Sequence, residues 1–169
     1  MASDQQTTDA ASVATTYFER IADRDLDAMV ACWEPGGSIE IHGIANMRIP
    51  DGYREWFGNL FAAFPDFRFE VLDLIGVGEL AAVRWRATGT FDGAVRFRGL
   101  EPNGARVDIT GCDLLTVRDG RIQRNEAYMN GAQMAQQLGA LPPTGSLPER
   151  AMTAALNLKT RAARLLARG

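Results

Sequence analysis

An Asp-Gly pair at positions 119 and 120, set between two β-rich runs, constrains the fold of this chain most strongly. Both residues tolerate the positive φ that a tight hairpin turn requires. We therefore predict two antiparallel strands, 106–117 and 121–129, followed by a short helix that Gly139 stops. The first strand carries a single acid, Asp113, among apolar neighbours. A carboxyl at that position is either a structural misfit or a functional group.

Helical periodicity dominates the first half of the chain, and strand alternation dominates the second half. The spacing predicts one helix over residues 10–22, another after the Asp23–Asp25 corner that ends at Glu34–Gly37, and a third capped by Asp51. This order is typical of an α+β fold in which a curved antiparallel sheet and helices enclose a small-molecule pocket. The other predicted strands cover residues 38–42, 67–75 and 80–90, with residues 47–50 as loop.

The chain is long enough for one domain with a core. We predict a disordered segment at residues 1–9, the α+β domain at 10–142, and a linker with an amphipathic helix at 143–169. That helix cannot stay folded alone in water, so its apolar stripe must dock on its own body or on a partner. The stripe consists of Met152, Ala155, Leu158, Ala162 and Leu165, with arginines opposite.

Charge and composition exclude several classes of protein. Residues 147–169 carry five basic side chains and one acid, a net +4 in a chain of net −3, so residues 1–146 carry −7. An acidic body argues against a nucleic-acid partner. No apolar run reaches the ~18 residues of a membrane span, and the polar N-terminus is not a secretory signal. With Cys32 and Cys112 expected as free thiols, we predict a cytoplasmic protein.

Other site types lack their sequence signatures. One histidine and two distant cysteines form no zinc pattern. A nucleophile elbow and a phosphate-binding loop are both missing. We therefore expect a site without metal or cofactor.

Several motifs resemble those of a known superfamily. The segment Thr16–Trp33 is similar to the opening of ketosteroid isomerases, and the Asp119-Gly120 hairpin resembles the last hairpin of the nuclear transport factor 2-like superfamily. Thr88–Gly93, Pro102–Gly104 and Gln137–Pro142 follow the layout of its SnoaL-like polyketide cyclases. The resemblance implies a cone-shaped α+β roll and a homodimer.

The resemblance also implies candidate catalytic residues. Tyr17 falls where ketosteroid isomerases keep an oxyanion tyrosine, and Asp113 where they keep a protonated aspartic acid. Their base position is Ile41 here, next to His42, and the acid/base aspartate of the cyclases is Ala127. Because no carboxylate base is in register, we assign proton transfer to His42, which a one-residue bulge would turn inward.

These observations predict a cofactor-independent cyclase or isomerase that acts on a small apolar carbonyl compound, polyketide-like or steroid-like. Two alternatives stay open: a binding protein with the same pocket, and a scaffolding subunit. The predicted catalytic residues are Tyr17, Asp113 and His42, and the predicted substrate-binding residues are Trp33, Trp56, Phe61, Trp85, Asn125, Ala127 and Met129.

Each candidate also has a purely structural interpretation. Tyr17 and the tryptophans are compatible with an ordinary core, and a lone histidine is often a surface residue. Burial should raise the pKa of Asp113 unless Arg84 or Arg86 turns inward to pair with it. We expect these two arginines to form a solvated face instead.

Overall fold

Two helices precede the first strand of the chain, and local capping explains where they begin and end. The structure, a computed structural model, describes residues 9–167 apart from the side chains of Leu165 and Leu166. The predicted disordered segment 1–9 lies almost wholly outside the described residues. The elements are α1 Ala10–Asp23, α2 Leu26–Ala31, β1 Trp33–Ile41, β2 Ala45–Arg48, α3 Asp51–Ala63, β3 Arg68–Val77, β4 Leu80–Phe91, β5 Ala105–Arg118, β6 Arg121–Met129, α4 Gly131–Gln137 and α5 Leu147–Leu166.

The first two helices are joined by a sharp corner. The Asp9 side chain caps α1, which ends at Arg24 in a left-handed conformation. Asp25 then caps α2 by accepting a hydrogen bond from the Ala28 amide at 3.0 Å. α1 buries one face against the sheet, where Phe18 stacks on Phe69 with ring centroids 5.5 Å apart. The apolar spacing therefore sets which side of α1 covers the core.

The six strands form one sheet in the order β2-β1-β6-β5-β4-β3. Asp119 and Gly120 both have positive φ, which confirms the predicted turn between β5 and β6. The α+β fold is confirmed, but the sheet is mixed, because β1 runs parallel to β6. The entire rest of the domain separates these two strands in sequence, so no tight turn forces them to be antiparallel.

Two predictions about the first strands are wrong. The second helix does not extend to Glu34–Gly37 as predicted. It stops at Ala31, and Glu34–Gly37 already belong to β1. A register shift between Trp33 and Ser38 accommodates them. Residues 47–50 are not all loop, because β2 pairs with β1 through Met47 and Ile39. The third helix begins at Asp51, but Pro50 occupies the cap position.

Helix α5 stands apart from the domain. Ser146 caps its start by accepting a hydrogen bond from the Glu149 amide at 3.3 Å. From Leu147 to Arg164, every side chain except that of Glu149 is exposed. In the described part of the chain, no helix combines the length and the apolar character needed to cross a membrane.

Candidate active-site cavity

A cavity lies between the inner face of the sheet and the helices α1 and α3. Its volume is about 110 Å³, several times the ~10–15 Å³ that one water molecule needs. Among the described residues that line the cavity, aliphatic and aromatic side chains form nearly all of the wall, and Asp113 supplies the only carboxyl group. The cavity therefore suits an apolar molecule that presents a polar group to one position.

Asp113 is buried between two hydrogen-bond donors. Trp85 Nε1 donates to its Oδ1 at 2.7 Å, and Asn125 Nδ2 donates to its Oδ2 at 2.6 Å. Burial raises the pKa of Asp113 to about 6, while the hydrogen bonds from Asn125 and Trp85 hold it lower than burial alone would. The carboxyl can therefore gain or lose a proton near neutral pH.

Strand register explains this arrangement. Asp113 points inward on β5, where it lies opposite Ala127 of β6, and Trp85 of β4 lies opposite Gly111. A Cβ atom at Gly111 would come within 2.3 Å of the Trp85 ring. The glycine thus leaves the space in which the indole N–H can reach Asp113.

Tyr17 also lies in the cavity wall and is fully buried. Its hydroxyl shares a hydrogen bond of 2.9 Å with the hydroxyl of Tyr53 on α3. Burial raises the pKa of Tyr17 far above its usual value, and the nearby Asp113 charge raises it further. The phenol therefore stays protonated and can act only as a neutral hydrogen-bond donor or acceptor. The sequence alone did not predict this hydrogen bond, because Tyr53 lies on a different helix, 36 positions along the chain.

Four of the predicted substrate-binding residues line the cavity: Trp56, Trp85, Ala127 and Met129. Asn125 lies behind Asp113 and contacts it directly. Trp33 and Phe61 do not line the cavity, contrary to the prediction. Trp33 packs against Tyr17 and Tyr53, and its buried Nε1 has no hydrogen-bond partner among the described residues. Phe61 packs under the guanidinium of Arg24.

The prediction that His42 faces the cavity is wrong. Ile39 and Ile41 point inward, and the pairing of β1 with β6 continues through Ile41 without a bulge, so the next side chain points outward. The His42 ring stacks on Tyr128 with centroids 4.2 Å apart. His42 Nδ1 lies 3.4 Å from Glu40 and Nε2 lies 3.8 Å from Glu126.

His42, Glu40 and Glu126 are close enough together to be considered as metal ligands. However, Arg124 donates a hydrogen bond of 2.8 Å to Glu126. The guanidinium already balances the negative charge of this carboxylate, so the group is a poorer ligand for a metal cation.

Arg84 and Arg86 lie on the outer face of the sheet, the face turned away from α1 and the cavity. Arg84 Nε donates to Asp73 at 2.6 Å and Arg86 Nε to Asp108 at 2.7 Å. The alternative in which one of them pairs with Asp113 is therefore wrong. Burial, and not a neighbouring cation, dominates the pKa of Asp113.

Comparison with known proteins identifies the class to which this fold and cavity belong. The model of the SnoaL-like domain matches residues 14–125, so the chain belongs to the SnoaL-like family of the nuclear transport factor 2-like superfamily. A comparison with curated proteins finds no match.

Several solved structures share the fold. A proposed SnoaL-like polyketide cyclase from Jannaschia sp. CCS1 is 21% identical with a TM-score of 0.71, over 84% of this chain and 99% of that one. AclR of Streptomyces galilaeus, a proposed hydroxylase, is 20% identical with a TM-score of 0.68, over 92% of this chain and 94% of that one. IdmH of Streptomyces antibioticus, a proposed polyketide cyclase, is 25% identical with a TM-score of 0.65, over 77% of this chain and 98% of that one.

Proposed function

We propose that this protein is a cofactor-independent cyclase or isomerase that moves a proton on a small apolar carbonyl compound, polyketide-like or steroid-like. The observation that carries the proposal is the single carboxyl of the cavity, Asp113, whose pKa is about 6. A general acid/base works best when its pKa lies near the working pH. Similarity to proposed polyketide cyclases supports the substrate class.

Asp113 takes over the role that we first assigned to His42. Its ionised form is in the majority at neutral pH, so we assign it as the proton acceptor and not as a permanently neutral donor. By resemblance, the cyclases carry their acid/base aspartate at the position of Ala127. Asp113 lies directly opposite Ala127 on the neighbouring strand, where the Cβ atoms of facing residues are ~5 Å apart. The carboxyl therefore enters the same region of the cavity from the adjacent strand.

Tyr17 completes the proposed mechanism. Asp113 removes an α-proton from the bound ketone, and the O–H of Tyr17 donates a hydrogen bond to the enolate oxygen that forms. The Tyr53 hydroxyl, 2.9 Å from that of Tyr17, can donate to the Tyr17 oxygen and free its proton for the substrate. Neutral Asp113 then returns the proton at a different carbon, which completes an isomerisation. In a cyclisation, the enolate carbon instead attacks a second carbonyl to close a ring, and neutral Asp113 gives its proton to the alkoxide oxygen that results.

Exchange of α-protons tests the proposal without knowledge of the natural substrate. β-Tetralone, an apolar ketone with acidic α-protons, is incubated with the protein in heavy water, and deuterium uptake is followed by NMR. We expect exchange above the buffer rate, and a loss of ~10²–10⁴-fold in Asp113→Asn. Asp108→Asn is the matched control, because Asp108 lies on the same strand but pairs with Arg86 on the outer face.

A binding protein without activity is the second candidate. The positions of the two family carboxylates are occupied by Ile41 and Ala127, which are apolar cavity residues. A pure binding protein would quench its tryptophan fluorescence saturably on addition of β-tetralone, yet leave the exchange at the buffer rate. That outcome would replace the enzyme proposal with the binding one.

We also propose that the protein is a cytoplasmic homodimer. The free thiols of Cys32 and Cys112 support a reducing compartment. Exposed apolar side chains on the outer face of the sheet support self-association. Fractionation that finds the protein outside the cytoplasm, or light scattering that gives the mass of one chain at micromolar concentration, would contradict these proposals.

A further inference from the structure

A second cavity adjoins the one that holds Asp113. It lies between the β1–β2 turn, the loop of residues 92–104 and helix α4, and its volume of about 230 Å³ compares with about 110 Å³ for the first. Ile44 and Met134 line both cavities, and both side chains are half-buried. Since methionine adapts readily to its neighbours, a ligand longer than β-tetralone can extend past these side chains from the first cavity into the second.

The second cavity has a single cation in its wall. Among the described residues that line it, Arg98 supplies the one positive charge, and glycine, alanine and larger apolar residues supply the rest. The Nη1 atom of Arg98 donates a hydrogen bond of 2.7 Å to the carbonyl oxygen of Ile44. This bond ties the guanidinium to the boundary between the two cavities and uses one of its five N–H donors. The remaining donors can bind an acceptor on a ligand.

The charge of Arg98 is not balanced within the described chain. Arg96, two positions earlier in the same loop, donates a hydrogen bond of 2.6 Å from Nε to Glu101. For Arg98, in contrast, the described lining of the cavity offers no carboxylate, and the ion pairs of the described residues do not include it. Its charge is therefore available to an anionic group of a ligand.

We propose that Arg98 binds a carboxylate of the substrate, so that the natural substrate is an apolar carbonyl compound with a carboxylate at its remote end. The proposal rests on the proposed function, because it places the carbonyl end of the ligand in the cavity of Asp113. The planar guanidinium matches a carboxylate with two parallel N–H donors. A phosphate monoester carries a charge of about −1.5 to −2 at neutral pH, which one arginine leaves partly unbalanced.

Arg98 acts on substrate affinity and not on the chemical step. Asp113 lines only the first cavity, and Arg98 lines only the second. The carboxylate contact is therefore as strong in the bound ketone as in the transition state. Uniform binding of this kind lowers KM without raising kcat. Arg98 is thus a residue that determines specificity.

Calorimetry with two probes of the same skeleton tests the contact: β-tetralone that carries a butanoate chain on its aromatic ring, and the methyl ester of that acid. The wild-type protein should bind the acid about tenfold more tightly than the ester at low ionic strength. Salt should shrink this preference, because Arg98 is exposed. Arg98→Gln should bind both probes equally, and its unchanged affinity for the ester would show that the cavity is intact. Arg96→Gln is the matched control, since it removes the same charge from the same loop and should keep the preference.

Exchange of the ring α-protons gives a second readout. In the wild type, KM for the acid should be about tenfold lower than KM for the ester, with a similar kcat. Arg98→Gln should raise KM for the acid alone.

The possible outcomes separate this proposal from the proposed function. Equal binding of acid and ester by the wild type, no binding of either, or a preference that survives in Arg98→Gln would overturn the carboxylate site. Loss of the preference in Arg96→Gln, or tighter binding of the corresponding phosphate monoester than of the acid, would overturn it as well. Acid-selective binding without α-proton exchange would instead remove the proposed enzyme and leave the carboxylate site in place.

Discussion

The Asp113 carboxyl is subject to two opposing influences, and their balance sets its chemistry. Burial disfavours the charged form, whereas the N–H donors of Asn125 and Trp85 favour it. An exposed carboxyl would stay ionised at neutral pH, and a buried one without donors would stay protonated. A pKa of about 6 lets the group accept a proton and return it within one catalytic cycle.

The raised pKa predicts how Asp113→Asn changes stability with pH. A folded-state pKa of about 6 against the usual 3.8 means that the folded chain holds the proton more tightly than the unfolded chain. The contribution of the group is fully present below the unfolded pKa and is lost as the pH rises through the folded one. Asp113→Asn should therefore raise the free energy of unfolding at pH 8 by up to about 3 kcal/mol, and by roughly half as much at pH 5, which lies between the two pKa values.

Melting curves at the two pH values check this prediction. The new amide needs an acceptor beside it, and the Asn125 Oδ1 atom, buried without a partner among the described residues, can turn to supply one. Asp108→Asn is the control, because Arg86 lowers the pKa of Asp108, so its replacement should not stabilise the protein at pH 8. A lower melting temperature of Asp113→Asn at both pH values would contradict the account.

Tyr17→Phe should separate binding from chemistry. The variant removes the proposed donor to the enolate oxygen and keeps the ring, so the β-tetralone exchange rate should fall ~10²–10³-fold while the quenching titration changes little. Tyr128→Phe, on the outer face beside His42, is the control and should exchange at the wild-type rate. An unchanged rate in Tyr17→Phe would remove Tyr17 from the mechanism.

At the level of the strands, one of the two hydrogen-bond donors to Asp113, the Trp85 N–H, depends on a glycine of β5. Gly111 faces Trp85 across the β4–β5 pair, and its missing side chain is what admits the indole ring. Gly111→Ala should destabilise the fold by ~1–3 kcal/mol through overpacking and should raise the pKa of Asp113 further by displacing the Trp85 N–H. Gly52→Ala is the control, since its nearest neighbour would be Met47 at 3.7 Å. Chemical denaturation and NMR titration of the Asp113 carboxyl measure both effects.

The pairing of β5 with β6 predicts that an acid introduced at position 127 of β6 can replace the Asp113 carboxyl of β5. In the double variant Asp113→Ala, Ala127→Asp, the acid occupies the facing position on β6. The double variant should exchange the α-protons of β-tetralone at least tenfold faster than Asp113→Ala does, because the carboxyl still reaches the same part of the cavity. A double variant no faster than Asp113→Ala alone, with normal β-tetralone binding, would contradict the idea that the two positions are equivalent.

For the whole molecule, the parts that depend on local sequence could be predicted. The β5–β6 hairpin follows from Asp119-Gly120, and the inward direction of Asp113 and Trp85 follows from strand alternation. The family also follows from local motifs, and the match to the SnoaL-like domain confirms it.

Features that depend on distant contacts could not be predicted. The parallel pairing of β1 with β6 joins residues almost ninety positions apart, and no turn residue specifies it. The outward direction of His42 depends on that pairing. The Trp85 and Asn125 donors come from two different strands, so only the assembled sheet brings them to one carboxyl. Asn125 was predicted to bind substrate, but its hydrogen bond to Asp113 was not predicted.

The pH dependence of β-tetralone exchange tests the central claim most directly, namely that Asp113 is the proton-transfer group of an apolar cavity. The initial rate of deuterium uptake is measured from pH 4.5 to pH 8 for the wild type and for Asp113→Asn. The account predicts a wild-type rate that rises with pH around a midpoint near 6, the pKa of the buried carboxyl, and a flat profile near the buffer rate for Asp113→Asn. Both profiles refer to the rate after subtraction of the buffer rate, which itself rises with pH through hydroxide catalysis. A wild-type profile without this midpoint, or one that Asp113→Asn reproduces, would contradict the account.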